Sequence, residues 1–562
     1  MAPSSCVDSD ASAVTGPTTA VADSATGAGT TSPAADSLVD WSRVRLGVDA
    51  APTMFIANWS PDTCRWDGGE LVPYGPLTLL PAAQVLNYGQ SIFEGLKAYR
   101  YDGCSAAPAE HRVVLFRPDA NAARFEAGAR RMCMPPVPPA MFLAAVQAVA
   151  RANAAWVSQA VFRELERFGK DDCVPPAARG SLYIRPLLLG TGPLLGLCPA
   201  PSYTFLVYAV PVGGRAKEGR LVPLDYLIHE SRHRAAPRGV GSTKAAGNYS
   251  PCLLAQAEAR AQSCHDCIYL DAKSDTYLEE GSGCNVFVTH GSVVTTPPAA
   301  GSILPGITRA SLLQLAVVLG YHVREAPISW KEALQADEMF GSGTALVVQP
   351  ISSVTFKGRR VAFYRTSTAN GTTAGAGKLA AVNGHANGNG QMNGYANGNG
   401  CMNDANSDSS EVEEEAEAEE PRKVDAGAAA AAAAAAAIDD DCESAGLSYR
   451  FGGKAAAELQ PEERAALAAF APVPEPASLP PGVGPIAHRL YALLTGIQYG
   501  RAPDPFGWTV EVDMGGPTAG PLHLDQLLVS DEVEGVSEHP PVPGKGLRPL
   551  QARPVFADPN LE

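Results

Sequence analysis

The chain has 562 residues, too many for one hydrophobic core, so two or more domains plus segments outside any core are expected. Apolar residues make up 46%, ordinary for a globular protein, and no run of about 20 uninterrupted apolar residues occurs, which argues against a membrane span. The net charge of −16, much of it in the run Glu411–Glu420, argues against non-specific nucleic-acid binding.

Residues 1–39 are rich in Ala, Ser and Thr, carry no Lys or Arg, and include Asp8, Asp10, Asp23 and Asp36. An organelle transit peptide is basic and poor in acids, so a disordered tail and a cytoplasmic location are expected, with plastid or mitochondrion as the alternative. Residues 40–210 read as a small α/β domain, with strands at Val113–Phe116 and Phe205–Val210 and helices at Ala120–Met132 and Ala140–Ala155. Residues 211–217, opening Pro-Val-Gly-Gly, read as a linker. Residues 218–364 again alternate strand and helix, for example Cys267–Leu270 and Arg309–Leu319, so the fold class is α/β (α+β) with two domains. Cys264 and Cys267 are the only closely spaced cysteine pair; with no second ligand pair at matching spacing they read as a turn before a strand. The twelve cysteines have no disulfide-like rhythm, which fits a reducing compartment.

Residues 365–484 read as a long disordered, low-complexity insertion: Asn-Gly repeats over 383–403, the acidic run, and polyalanine at Ala428–Ala437 cannot bury enough apolar surface to offset ordering entropy. Within it, Arg464–Phe470 reads as a short helix. Pro485–Gly496 reads as an amphipathic helix, so 485–513 is expected to rejoin the larger domain of 218–364, and 514–562 is a Pro-rich acidic tail.

Lys244 is the most telling residue. It lies in Arg238–Pro251, RGVGSTKAAGNYSP, 36 residues before Glu280, which opens EGSGCNVF. A lysine amine can form a Schiff base with an aldehyde, and a carboxylate can keep a pyridine nitrogen protonated; the pair points to pyridoxal phosphate chemistry. Seven segments, LNYGQSIFEGLKAYR (Leu86–Arg100), SLYIRPLLLGTGPLLG (Ser181–Gly196), GSTKAAGNYSP (Gly241–Pro251), YLEEGSGCNVF (Tyr277–Phe287), GSILPGITR (Gly301–Arg309), FGSGTA (Phe340–Ala345) and GIQYG (Gly496–Gly500), follow one another in the order of a known family. On them the chain resembles a branched-chain amino acid aminotransferase of pyridoxal phosphate fold type IV.

The resemblance implies a homodimer that binds pyridoxal 5'-phosphate and moves the amino group reversibly between leucine, isoleucine or valine and 2-oxoglutarate, so its partners are amino acids, 2-oxo acids and glutamate, with no nucleic acid and no membrane. It implies that Lys244 is the Schiff-base lysine, and that Glu280 rather than Glu279 faces the pyridine nitrogen. It further implies that Tyr249 bonds the phenolic oxygen, that Arg124, Ile307, Thr308 and Thr344 hold the phosphate, and that Thr344 and Ala345 take the α-carboxylate. Tyr88 and Phe93 are expected to line the apolar pocket. Tyr183 and Arg185 share one strand face, and an unpaired buried arginine is costly, so Arg185 is expected to meet the second carboxylate of glutamate. Leu195 and Leu197 match a loop that reaches the neighbouring subunit. No metal is expected. The chain departs from the family in lacking a Cys-x-x-Cys after the Gly-Thr-Ala turn (Leu346, Val348 and Gln349 stand there), in an extra segment near Ser158–Cys173, and in the 365–484 insertion. The competing readings are a D-amino acid transaminase or aminodeoxychorismate lyase on the same fold, and a non-catalytic scaffold.

Overall fold

A computed structural model of the chain describes residues 50–101, 112–157, 180–212, 221–364, 454–475 and 478–514. The expected tails, the segment near Ser158–Cys173, the Asn-Gly repeats, the acidic run and the polyalanine all lie outside these residues.

Two nine-stranded sheets organise the described residues. The first contains β1 (Thr53–Ser60), β2 (Arg65–Trp66), β3 (Glu70–Pro73), β4 (Ser91–Phe93), β5 (Leu96–Arg100), β6 (Val113–Phe116), β7 (Ser181–Gly190), β8 (Tyr203–Val212) and, from the far end of the chain, β18 (Thr509–Glu511). The second contains β9 (Leu224–Ile228), β10 (Asp266–Leu270), β11 (Leu278–Gly281), β12 (Asn285–His290), β13 (Val293–Thr296), β14 (His322–Glu325), β15 (Glu338–Gly343), β16 (Val347–Phe356) and β17 (Arg359–Ala362). Helices flank them: α1 (Gln84–Tyr88), α2 (Pro118–Arg131), α3 (Pro139–Ala152), α4 (Cys252–Ala261), α5 (Ile307–Val318), α6 (Trp330–Ala333), α7 (Pro461–Phe470) and α8 (Pro485–Gln498).

Local chemistry accounts for the helix ends. Pro118 opens α2, where its missing N–H costs nothing, Asp119 sits in the first turn and Arg130 and Arg131 in the last, each on the favourable end of the dipole. The first sheet and helices α2 and α3 enclose a core built on Phe55, Phe125, Phe142 and Phe205. A second core joins Tyr99, Val114 and Phe116 of the first sheet to Phe287 and Phe340 of the second and to Leu312, Leu490 and Leu494 of α5 and α8. The two sheets therefore share buried surface. Cys264 and Cys267 are buried in a small cluster with Ala255 and Ala259 of α4.

Three boundaries differ from the sequence reading. Strand β8 continues through Pro211 and Val212, paired with Leu182 and Ser181, where a linker was expected to begin; the apolar run from Tyr203 outweighs the proline signal. The segment expected to belong to the larger domain ends in β18, whose Thr509, Val510 and Glu511 pair with Phe116, Leu115 and Val114 of the first sheet. The last part of the expected insertion is folded. Leu459, Leu467, Ala471, Leu479 and Val483 are buried in the core that holds α5 and α8, because α7 presents enough apolar side chains to bury one face. The two flanks of the excursion meet where the Gly482 N–H donates to the Tyr364 carbonyl at 3.0 Å. Helix α8 is capped from across the fold: the carboxylate of Glu338 on β15 accepts the N–H of Ile486 at 3.0 Å and of Ala487 at 3.1 Å.

Candidate active site

The loop before α4 presents Lys244. Its carbonyl accepts the Phe93 N–H at 3.1 Å, which ties the loop to β4 of the first sheet. The Lys244 Nζ donates to the Tyr249 Oη at 3.3 Å and lies 4.8 Å from the Phe93 ring centroid. Phe93 and Tyr249 meet edge to face at 5.0 Å. Burial, aided by the charge of Arg124, lowers the Lys244 amine to about 8, while burial holds the Tyr249 hydroxyl well above its usual range.

Glu280 lies on β11 with its carboxylate buried. It pairs with Arg234 Nη2 at 2.5 Å and accepts the Leu304 N–H at 3.0 Å and the Asn285 Nδ2 at 3.1 Å. Burial raises it to about 7, against the opposing pull of Arg234, that backbone N–H and the charge of Lys244. Glu279 points elsewhere, to the Ser302 hydroxyl.

Arg124 projects from α2 and is buried. Its Nε and Nη2 each donate to the Glu94 carboxylate at 2.7 Å, and its Nη1 donates to the Pro305 carbonyl at 2.9 Å. Pro305 lies just ahead of Gly306, which opens α5 without a side-chain cap. Ile307 and Thr308, both buried, form its first turn, so an arginine and a helix N-terminus sit side by side, an arrangement suited to an anion. A Cβ at Gly306 would fall 2.0 Å from the Asn285 Oδ1, so a larger residue would separate this helix end from the Glu280 network.

Facing this from the first sheet, Tyr183 and Arg185 lie on one face of β7, with Arg185 Nη2 3.4 Å from the Tyr183 Oη and the guanidinium carbon 4.7 Å from the Phe93 ring centroid. The Arg185 Nε is buried and has no hydrogen-bond partner among the described residues. The turn after β15 closes the site: Thr344 Oγ1 donates to the Gly95 carbonyl at 3.1 Å, and the Ala345 carbonyl accepts from Lys97 Nζ at 3.3 Å. Ala345 also packs against the small cluster of Tyr183, Val210 and Val212. At Gly95 a Cβ would fall 1.9 Å from the Tyr183 Oη, so only glycine leaves room for that tyrosine.

The structure thus brings Lys244, Tyr249, Glu280, Arg124, Phe93, Tyr183, Arg185, Thr344, Ala345 and the Ile307–Thr308 turn around one region. Tyr88 stands apart: it ends α1, is 43% exposed, and no hydrogen bond or ring contact joins it to the Lys244 cluster among the described residues. Glu94, Arg234 and Asn285 escaped the sequence reading. The available signal for Glu94 was an acid inside the apolar run Ile92–Leu96, since buried acids are nearly always paired.

A half-buried amine, a hydroxyl beside it, a buried carboxylate and an arginine next to a helix N-terminus are what a transaminase needs to hold an aldehyde cofactor by its carbonyl, ring and phosphate. Comparison with known proteins agrees. The amino-transferase class IV family model matches residues 91–354. A chloroplastic branched-chain-amino-acid aminotransferase 3 of Arabidopsis thaliana is 44% identical over 330 residues, 58% of this chain and 73% of that protein. A chloroplastic branched-chain amino acid aminotransferase 2 of Humulus lupulus is 44% identical over 326 residues, again 58% and 73%. Among solved structures, a branched-chain amino acid aminotransferase of Escherichia coli is 29% identical over 56% of this chain and 88% of its own, with a TM-score of 0.43. The chain belongs to the class IV aminotransferases, and within them to the branched-chain aminotransferases. The family's cofactor is pyridoxal 5'-phosphate, and the buried donors described above fit it.

Proposed function

We propose that the protein transfers the amino group reversibly between leucine, isoleucine or valine and 2-oxoglutarate. The observation that carries this reading is the convergence of Lys244, Tyr249, Glu280 and Arg124, from both halves of the fold, on one buried region, faced by Arg185, whose Nε has no hydrogen-bond partner among the described residues.

In this reading Lys244, Tyr249, Glu280 and Arg124, with the Ile307–Thr308 turn and Thr344, hold pyridoxal phosphate. When bound, the cofactor supplies an aldehyde that takes up the amino group and a protonated ring that draws electrons from the substrate α-carbon. The Lys244 amine moves the proton at that α-carbon; held at about 8, it is partly unprotonated near neutral pH, as a general base should be. Tyr249 orients the amine through its hydroxyl. Glu280 shares a proton with the ring nitrogen, and Arg234 and Asn285 keep it in place. The N–H groups of the Thr344–Ala345 turn take the α-carboxylate, and the cluster of Tyr183, Val210 and Val212 packs against that turn. Phe93 gives the apolar side chain its surface, while Arg185 takes the second carboxylate of glutamate.

The active unit is a homodimer. Leu86, Leu195 and Leu197 are 60%, 77% and 92% exposed, and Gln84 Nε2 binds their two segments together through the Leu194 and Gly196 carbonyls at 2.8 Å each. A shaped apolar patch of this kind fits a second subunit, and Tyr88, on the same helix α1, would line the pocket of that subunit rather than its own. The relatives' chloroplastic names favour a plastid over the cytoplasmic location expected above; a fluorescent fusion to the whole chain decides between them.

The test is a panel of amino acids of both hands assayed with 2-oxoglutarate, run beside Lys244→Ala. The wild type should carry the visible absorbance of bound cofactor and turn over L-leucine, L-isoleucine and L-valine; the variant should fold but lose both. Preference for D-amino acids, or a colourless wild type, would overturn the reading.

A further inference from the structure

Glu94 is fully buried, carries a charge, and has no part in the roles assigned so far. Four groups hold its carboxylate: Arg124 Nε at 2.7 Å on one oxygen, Arg124 Nη2 at 2.7 Å on the other, Asn121 Nδ2 at 2.6 Å, and the Gly95 N–H at 3.1 Å. Its own backbone N–H donates to the Pro186 carbonyl of β7 at 2.9 Å. The carboxylate is thus fixed from α2, from its own turn and from the neighbouring strand before it meets the guanidinium.

An arginine offers five N–H donors in a rigid planar fork. Two contacts to Glu94 and one to Pro305 use three of them and fix the plane of the fork at both ends. The remaining two N–H groups, one on Nη1 and one on Nη2, belong to a fork whose Nη1 reaches Pro305, just ahead of the uncapped start of α5. Without Glu94 the Arg124 side chain would keep its charge but lose the contact that sets its plane, since only the Pro305 carbonyl would hold it.

We propose that Glu94 is the positioning residue of the phosphate end: it clamps Arg124 edge-on, so that the free side of the fork and the N-terminus of α5 receive the cofactor's phosphate together. This rests on the functional reading above and deepens it, because the assigned donors work as an anion site only while that fork is held. The opposite expectation is a purely Coulombic one. A buried carboxylate beside Arg124 repels a phosphate, so its neutralisation would tighten phosphate binding. The two accounts differ in sign.

Cofactor-free protein titrated with pyridoxal phosphate and with pyridoxal, which lacks the phosphate, separates them. Glu94→Gln removes the charge and puts an NH2 donor against a guanidinium donor, breaking one half of the clamp. The expected result is a Kd for pyridoxal phosphate raised about tenfold or more, with the Kd for pyridoxal changed less than twofold. Arg124→Lys keeps the charge without the fork and should weaken pyridoxal phosphate to a similar degree; adding Glu94→Gln to it should weaken binding no further. Should Glu94→Gln fail to fold, Asn121→Ala loosens the same carboxylate without changing charge and should weaken pyridoxal phosphate about threefold. Tighter pyridoxal phosphate binding by Glu94→Gln, equal losses for both ligands, or additive losses with Arg124→Lys would overturn the proposal. A wild type that does not prefer the phosphate would sink the functional reading as well; a preference kept by Glu94→Gln and Asn121→Ala would sink this proposal alone.

Discussion

Arg185 is where one pocket must serve two kinds of side chain, and Arg185→Met tests that directly. Methionine keeps an unbranched apolar stem over the Phe93 ring, 4.7 Å from the present guanidinium carbon, and removes only the charge and donors. The arginine's Nε is buried and unpartnered, and its one described hydrogen bond, to the Tyr183 hydroxyl, is long at 3.4 Å. A glutamate carboxylate arriving there would gain charge-assisted hydrogen bonds worth about 1.5–3 kcal/mol, or roughly 10–150-fold in kcat/KM. Leucine gains nothing from those donors, so its half-reaction should change less than about threefold. The assay is single-turnover: the cofactor absorbance change is followed after mixing the enzyme with leucine or with glutamate in separate experiments. Removing an unpartnered buried Nε should also leave the variant as stable as the wild type or more so, since such a group carries an uncompensated desolvation cost. Equal losses in the two half-reactions would refute this reasoning and assign Arg185 to the α-carboxylate or to the fold.

Glu280→Gln should lower kcat by about 100–1000-fold, the usual weight of one preorganised electrostatic contact, with cofactor still bound, whereas Glu279→Gln, whose carboxylate faces Ser302, should stay within a few-fold; the reverse pattern in steady-state kinetics would reassign the register. Burial pushes Glu338 up to about 7, above the 4.5 of an exposed glutamate. Its contribution to stability is therefore fully present below about pH 4.5 and is lost as pH rises through about 7. Glu338→Gln has no such titration, so urea melts should show it gaining on the wild type by roughly 2–3 kcal/mol between pH 5 and pH 8; parallel pH curves would contradict this. Deleting residues 370–445 and joining the ends with a short Gly/Ser linker should leave kcat/KM for leucine within a few-fold, because Tyr364 and Gly482 already meet and shortening such a loop recovers only about 1–2 kcal/mol of closure entropy; a variant that binds cofactor but does not turn over would show that the segment acts on the site.

Local order left clear marks in the sequence, and long-range order did not. Helices α2, α3 and α8 show as apolar periodicity behind a proline at the first turn, and the Lys244 and Glu280 segments are recognisable because several chemically demanding residues crowd into short runs. The clamp on Arg124 is different. Glu94 lies 30 residues earlier, and no local pattern says which cation a buried acid will find. Arg234 and Glu280 are separated in the same way. Strand β18 spans only three residues, too few for an alternation to show, and its identity comes from Leu115 and its neighbours on β6. Helix α7 was legible as the short helix Arg464–Phe470, but its place in the core was not: a change of composition before it drew the whole stretch into one insertion, although Leu459 and Leu467 reach the core.

The hydrogen bond between Gly482 and Tyr364 has a consequence for how the gene product can be assembled. The described elements beyond it, α8 in the shared core, Trp508 against Phe116, and β18 on the edge of β6, are gripped by side chains and strand pairing of the earlier part of the chain rather than by the peptide link itself. The covalent connection across residues 365–453 is therefore not what keeps the described residues after it in place. Two separate polypeptides, one ending and the other beginning within 370–445, should find each other and reconstitute a single working catalyst when made in the same cell.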